Sequence, residues 1–172
     1  AGAPVSRDHV ISTNPETGVT FITGGKWTTY RHMAEDVMDK VIKLHNFEHA
    51  GPCVTDKKRL RGGDGYNRNV PVQLVQEFGV SEDVAKHLAH AYGMHAFEVC
   101  RLAKPSGKNW PRFGNILIEG FPYLDCEIEY ACKHEMVCTL KDMLTLRLRI
   151  AFLNKEAALE VAPRVADIMA KE

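Results

Sequence analysis

Two adjacent glycines, Gly24 and Gly25, sit where the apolar pattern of this chain changes period. Before them, Val10-Ile11 and Val19-Thr20-Phe21-Ile22-Thr23 bracket the turn-forming stretch Thr13-Asn14-Pro15-Glu16-Thr17-Gly18. β-branched and aromatic runs on either side of such a turn predict a hairpin. After the glycines, Met33, Val37, Val41 and Leu44 fall at helical spacing and predict a helix over 27–45. The local order is strand, glycine turn, Lys26, helix. A helix start exposes unpaired N–H groups at its positive end, and glycine lets a ligand approach the backbone, so the turn suits an anion. It is not a P-loop, because Thr20 stands where that motif needs its first glycine. Taken alone, a Gly-Gly-Lys turn reads first as a solvated turn.

The segment 48–69 contains Gly51-Pro52 and Gly62-Gly63-Asp64-Gly65, has little periodicity and reads as a linker at a domain boundary. The expected organisation is therefore 1–47, a linker over 48–69, and an all-α domain over 70–172. Within that domain, Val70 to Phe78 reads as a helix. Ser81 caps a second helix that runs to Tyr92 and stops at Gly93, and a third covers 96–104. Pro105-Ser106-Gly107 ends it, and the Gly- and Pro-rich stretch to Pro122 holds at most a short turn or strand at Ile116-Leu117-Ile118. Helices are expected again over 123–134, from a Thr139 cap through Phe152, and after an Asn154 cap, with a kink or break near Pro163. Mainly α, with a short β-hairpin and strand-turn-helix ahead of the helices, is the predicted fold class.

With 172 residues, 45% hydrophobic and 26% charged, the chain has the proportions of a globular protein with one well-buried domain. Lys plus Arg and Asp plus Glu both number 22, so no net field draws it toward nucleic acid. No apolar run approaches the roughly 20 residues that span a bilayer, and no targeting segment is recognised. The five cysteines form no Cys-x-x-Cys pair, which argues against a zinc ribbon or a disulfide framework and leaves reduced, mostly buried thiols.

The string GGKWTTYRHMAEDVMDK closely resembles the motif of FAD-dependent glycerol-3-phosphate dehydrogenases, and SRDHVI upstream is similar to that family's Ser-Arg-(Asp/Asn)-His segment. Trp27 resembles the mitochondrial type. The resemblance continues through VQLVQEFGV, AYGMHAFEV, GKNWPRFG, EGFPYLDCEIEYA and RIAFLNKEAALEVAPRVADIMAKE, and so covers essentially the whole chain. It departs from the family's Arg-Arg-x-Arg-Leu string at Leu146-Arg147-Leu148-Arg149-Ile150. The resemblance implies a C-terminal fragment of a flavoprotein that oxidises glycerol 3-phosphate to dihydroxyacetone phosphate, with hydride passing to FAD and electrons to quinone. It implies a mitochondrial protein associated with the inner membrane, and an N-terminal FAD-binding domain as partner. By the same resemblance Gly24, Gly25, Lys26 and Thr28 face the cofactor, while Arg7 and Lys26 face the substrate. No Gly-x-Gly-x-x-Gly loop follows a plausible strand here, so the chain alone is expected neither to hold FAD tightly nor to turn over substrate. No catalytic residue is assigned.

Other clusters read as structure. Asp83, His87 and His90 share a helix face and carry metal-ligating groups, yet a solvated face explains them and no metal is assigned. Glu119, Asp125, Glu127 and Glu129 read as a wet face opposite Leu124 and Ile128. Trp110 and Phe121 read as packing anchors of the loop between helices. His9 follows Arg7 in the matched segment, where a structural hydrogen bond is as good an expectation as a place near the site. Among other function classes, the helices over 70–104 fit a helix-turn-helix-like or protein-interaction module without chemistry, and neutral charge counts against DNA. A homo-oligomer is compatible with either reading.

Overall fold

The computed structural model describes residues 8–172, so Arg7 lies outside the described residues. Two compact units divide between Lys58 and Arg59. The architecture is mainly α with one small antiparallel sheet.

The first unit is built on a hairpin of β1 (His9–Thr13) and β2 (Thr20–Gly24), with Ile11 opposite Ile22 and His9 opposite Gly24. Its turn closes through Asn14, whose side chain accepts from the N–H groups of Glu16 (2.8 Å) and Thr17 (3.1 Å). A 3-10 turn at Trp27–Thr29 leads into α1 (Tyr30–His45), so the expected helix begins with one tighter turn. Lys40 of α1 donates to the Ile11 carbonyl at 2.6 Å and ties the helix across the sheet. Neither the sheet nor α1 contains a buried residue. Val10 and Phe21 on one sheet face are 61% and 55% exposed, so the described residues of this unit form no buried core.

The second unit is helical, with α2 (Val70–Phe78), α3 (Glu82–Tyr92), α4 (Ala96–Leu102), α5 (Asp125–His134), α6 (Leu140–Asp142), α7 (Ile150–Leu153) and α8 (Lys155–Met169). Val70 and Leu74 of α2, Val84 and Leu88 of α3, and Val99 of α4 form one buried cluster with Leu124, Cys126 and Tyr130. Ile128 and Ala131 of α5 belong to another, with Met143, Leu148, Ile150 and Val161 and Val165 of α8. Helix α5 therefore serves both clusters. A fully buried Leu or Ile side chain contributes roughly 1.5 to 3 kcal/mol, so the two clusters hold the unit together.

A single helix from Thr139 to Phe152 does not form: Thr139 caps α6, accepting from Asp142 N–H at 3.1 Å, but a π-helical turn at Met143–Arg147 follows and Arg149 adopts a left-handed conformation (φ 59°) before α7. Leu148 and Ile150 are both buried, yet on a straight helix two residues apart point to opposite sides, so the chain must break between them. Conversely, α8 continues through Pro163 without a break. The carbonyl that loses its partner belongs to Leu159, a residue 65% exposed. The Asn154 cap forms as expected, accepting from Ala157 N–H at 3.0 Å.

Glu127 is not on a wet face but buried, and His87 turns inward to meet it. Trp110 is 55% exposed, whereas Phe121 stacks on Tyr123. Only Cys100 and Cys126 are buried thiols, Cys138 is exposed, and all five cysteines are free.

Candidate functional site

The end of β2 and the start of α1 enclose a cavity of about 430 Å³ lined by Ile22, Gly24, Gly25, Lys26, Trp27, Tyr30, Met33, Ala34 and Val37. Three features of the sequence build it. β2 ends in Gly24 and Gly25, both with positive φ (80° and 76°), which reverses the chain toward the helix. Lys26 then returns to extended backbone (φ −125°, ψ 144°), and its carbonyl accepts from both the N–H and the hydroxyl of Thr29 at 3.0 Å. Tyr30, Met33, Ala34 and Val37 lie on one side of α1 because residues three and four apart share a helix face.

The glycines also make room for neighbouring segments of their own unit. A Cβ on Gly24 would lie 2.9 Å from the Asp8 carbonyl oxygen, and one on Gly25 would lie 2.7 Å from Met33 Sδ and 3.3 Å from His9 Cβ. The missing side chains make room for β1 and α1 to close on the turn, while the backbone of both residues borders the cavity. The wall is mostly apolar, with the Lys26 ammonium as the charged group on it, which fits one side of a flat, electron-accepting heterocycle. Trp27, 93% exposed, and Tyr30, 68% exposed, present their rings at its edge.

Gly24, Gly25 and Lys26 are thus together on the cavity wall, and Thr28 lies in the adjoining turn without lining it. Sequence reasoning placed Met33 and Val37 on a helix face but did not assign Ile22, Tyr30 or Ala34 to the site. The period of α1 was the signal for Tyr30 and Ala34; no signal marked Ile22 apart from any other strand residue.

His9, beside the turn, points its Nε2 to Asp36 Oδ2 at 2.9 Å. In the helical unit, Asp83 and His90 are exposed while His87 is engaged by Glu127. No three His, Cys, Asp or Glu side chains among the described residues are arranged to hold a metal ion.

A family model described as the C-terminal domain of alpha-glycerophosphate oxidase matches residues 53–172, well over half of the chain. The chain belongs to that family. Its similarity to curated proteins extends through the first unit as well. The chain is 47% identical over 168 residues to the mitochondrial glycerol-3-phosphate dehydrogenase of Mesocricetus auratus, a match covering 98% of this chain and 23% of that protein. The Homo sapiens protein of the same name is 45% identical over the same shares. A probable mitochondrial glycerol-3-phosphate dehydrogenase of Dictyostelium discoideum is 38% identical, over 96% of this chain and 25% of that protein. The chain therefore spans about a quarter of the length of these family members. No helix among the described residues is long and apolar enough to cross a membrane.

Proposed function

We propose that this chain is the C-terminal part of a mitochondrial, FAD-dependent glycerol-3-phosphate dehydrogenase associated with the inner membrane. The observation that carries the reading is the cavity on which Gly24, Gly25 and Lys26 converge, within a chain similar along 98% of its length to proteins of that name. FAD bound there would accept hydride from C2 of glycerol 3-phosphate, leaving dihydroxyacetone phosphate, and pass electrons to quinone. Lys26 contributes a fixed positive charge that favours an electron-rich ring and attracts the substrate phosphate. Arg7 adds a planar fork of donors suited to the same phosphate. Thr28, in the adjoining turn, belongs to the same cofactor site.

The exposed sheet face of the first unit and the uncovered apolar side of α1 fit a piece of a larger FAD-binding domain contributed by preceding polypeptide. The helical unit braces that domain or mediates assembly. Because the pyrophosphate-binding loop lies elsewhere, residues 1–172 by themselves bind FAD weakly and do not turn over substrate.

Turnover of glycerol 3-phosphate by the full-length protein tests the reading. Lys26→Ala is expected to lower kcat/KM at least a hundredfold, as loss of a charged group at a developing anion does. Unchanged turnover in that variant, or a full-length protein without flavin, defeats it.

A further inference from the structure

The proposed site leaves one ionisable pair without a role. His9 stands opposite Gly24 in the sheet, and its Cβ packs against the side of Gly25 where a side chain would otherwise project. Its imidazole is 21% exposed and its Nε2 lies 2.9 Å from Asp36 Oδ2 on α1. The pair bridges β1 and α1 directly behind the two glycines, in a place too shielded for water to screen a charge fully.

We propose that His9, held by Asp36, is a positioning residue of the Gly24–Gly25–Lys26 turn that couples its own protonation to reduction of the electron-accepting ring on that turn. The proposal rests on the flavin reading above. Imidazole is the side chain whose ordinary charge change falls between pH 5 and 8. A proton on His9 adds positive charge beside the turn and favours the ring with extra electrons. By reciprocity the reduced ring favours the proton by the same factor.

The charged groups around the pair allow this coupling. From α1, Asp36 accepts from His9, and His32 Nε2 lies 3.6 Å from the same carboxylate oxygen with Nδ1 3.6 Å from Glu35. Lys40 is committed to the Ile11 carbonyl, Asp8 directly precedes β1, and Lys26 stands on the turn. β2 contributes no ionisable side chain. His32 is 64% exposed against 21% for His9, so a charge on it is screened by water and should couple weakly.

The test is the midpoint potential of FAD bound to the full-length protein, relative to free FAD, from about pH 5.5 to about pH 8.5. In the wild type the reduced ring is expected to be favoured roughly tenfold more at the acid end, about 30 mV for a two-electron couple. His9→Gln, which keeps a donor toward Asp36, should still hold FAD and lose this step. Asp36→Asn should diminish the step, and His32→Gln should leave it in place. A flat wild-type profile, or a full step in His9→Gln, overturns the proposal alone. Full-length protein that holds no FAD overturns the flavin reading itself. His9→Asn is measured in parallel, so a variant that fails to fold still leaves the step to be read.

Discussion

Glu127 of α5 and His87 of α3 meet at 2.7 Å inside the helical unit, on the helix that serves both apolar clusters. The same carboxylate accepts from the Tyr92 hydroxyl at 2.9 Å and, through its other oxygen, from the Leu124 N–H at 2.7 Å. Among the described residues it is the one charged side chain buried in the core, and its donors join α3 to the start of α5. A carboxylate so placed fixes the angle between two helices that apolar contacts alone leave adjustable.

Glu127→Ala should cost about 3 kcal/mol, because three donors lose their acceptor where water cannot replace it. Glu127→Gln keeps the shape but turns an amide N–H₂ toward donors, and should cost about half as much. Urea unfolding of both variants and of His87→Ala measures this. A loss below about 0.5 kcal/mol for the alanine variant would contradict the account.

Alkaline pH should weaken the helical unit. Burial, with the Glu127 charge nearby, pushes the Cys100 thiol from its ordinary 9.0 up to about 12 and holds the Tyr92 hydroxyl well above its ordinary 10.0. Below pH 9 both groups stay protonated in folded and unfolded chains, and stability is complete. As pH rises from 9 toward 12 the unfolded chain releases the Cys100 proton first, so stability falls by up to about 1.4 kcal/mol per pH unit for that group. Unfolding midpoints from about pH 8 to about pH 11 should drop, and less steeply in Cys100→Ala.

Gly25→Ala should disturb the candidate site more than the fold. A Cβ there meets Met33 Sδ at 2.7 Å on a backbone with φ 76°. The left-handed conformation costs an alanine about 1 to 2 kcal/mol, and Met33 must swing into the cavity it lines. FAD affinity of the full-length variant should fall at least tenfold, with partial recovery in Gly25→Ala/Met33→Ala, which removes the collision but not the backbone strain. Equal affinities for wild type and Gly25→Ala would show that the turn is not in contact with the cofactor.

Pro163→Ala should stabilise α8 by about 1 to 2 kcal/mol. The substitution restores an N–H to the Leu159 carbonyl and recovers part of the usual proline cost of about 3 kcal/mol. Thermal unfolding of the variant should show a higher Tm, and a lower one would mean that the proline ring itself packs favourably.

Much of the local structure was legible in the residues. The hairpin follows from its β-branched runs and the Asn14 turn, and α3 ends at Gly93 as expected, though at its start Ser81 makes no side-chain capping hydrogen bond. Asn154 caps α8 because its short side chain reaches a free N–H within the same turn. Each of these rests on groups a few positions apart. The Gly-Gly-Lys turn was legible in the same way, and the matching string carried its functional meaning.

What the residues could not reveal involves partners distant in sequence. Glu127 looked like one acid among several until α3, 40 residues earlier, brought His87 to it. The break at Arg149 exists because Leu148 and Ile150 must both reach apolar surroundings, a demand set by neighbouring helices and not by Arg149. His9 gained a role only when hairpin register set it behind Gly25 and α1 offered Asp36.

The order of residues by itself determined the hairpin, most of the helices, the Thr139 and Asn154 caps and the glycine turn, since those depend on backbone sterics and hydrogen bonds closed within a few residues. Tertiary structure alone decided which polar side chains were buried, where the seventh helix had to begin and which groups lined the cavity. Those outcomes depend on desolvation and shape, and both are properties of surfaces that exist only after distant segments have met.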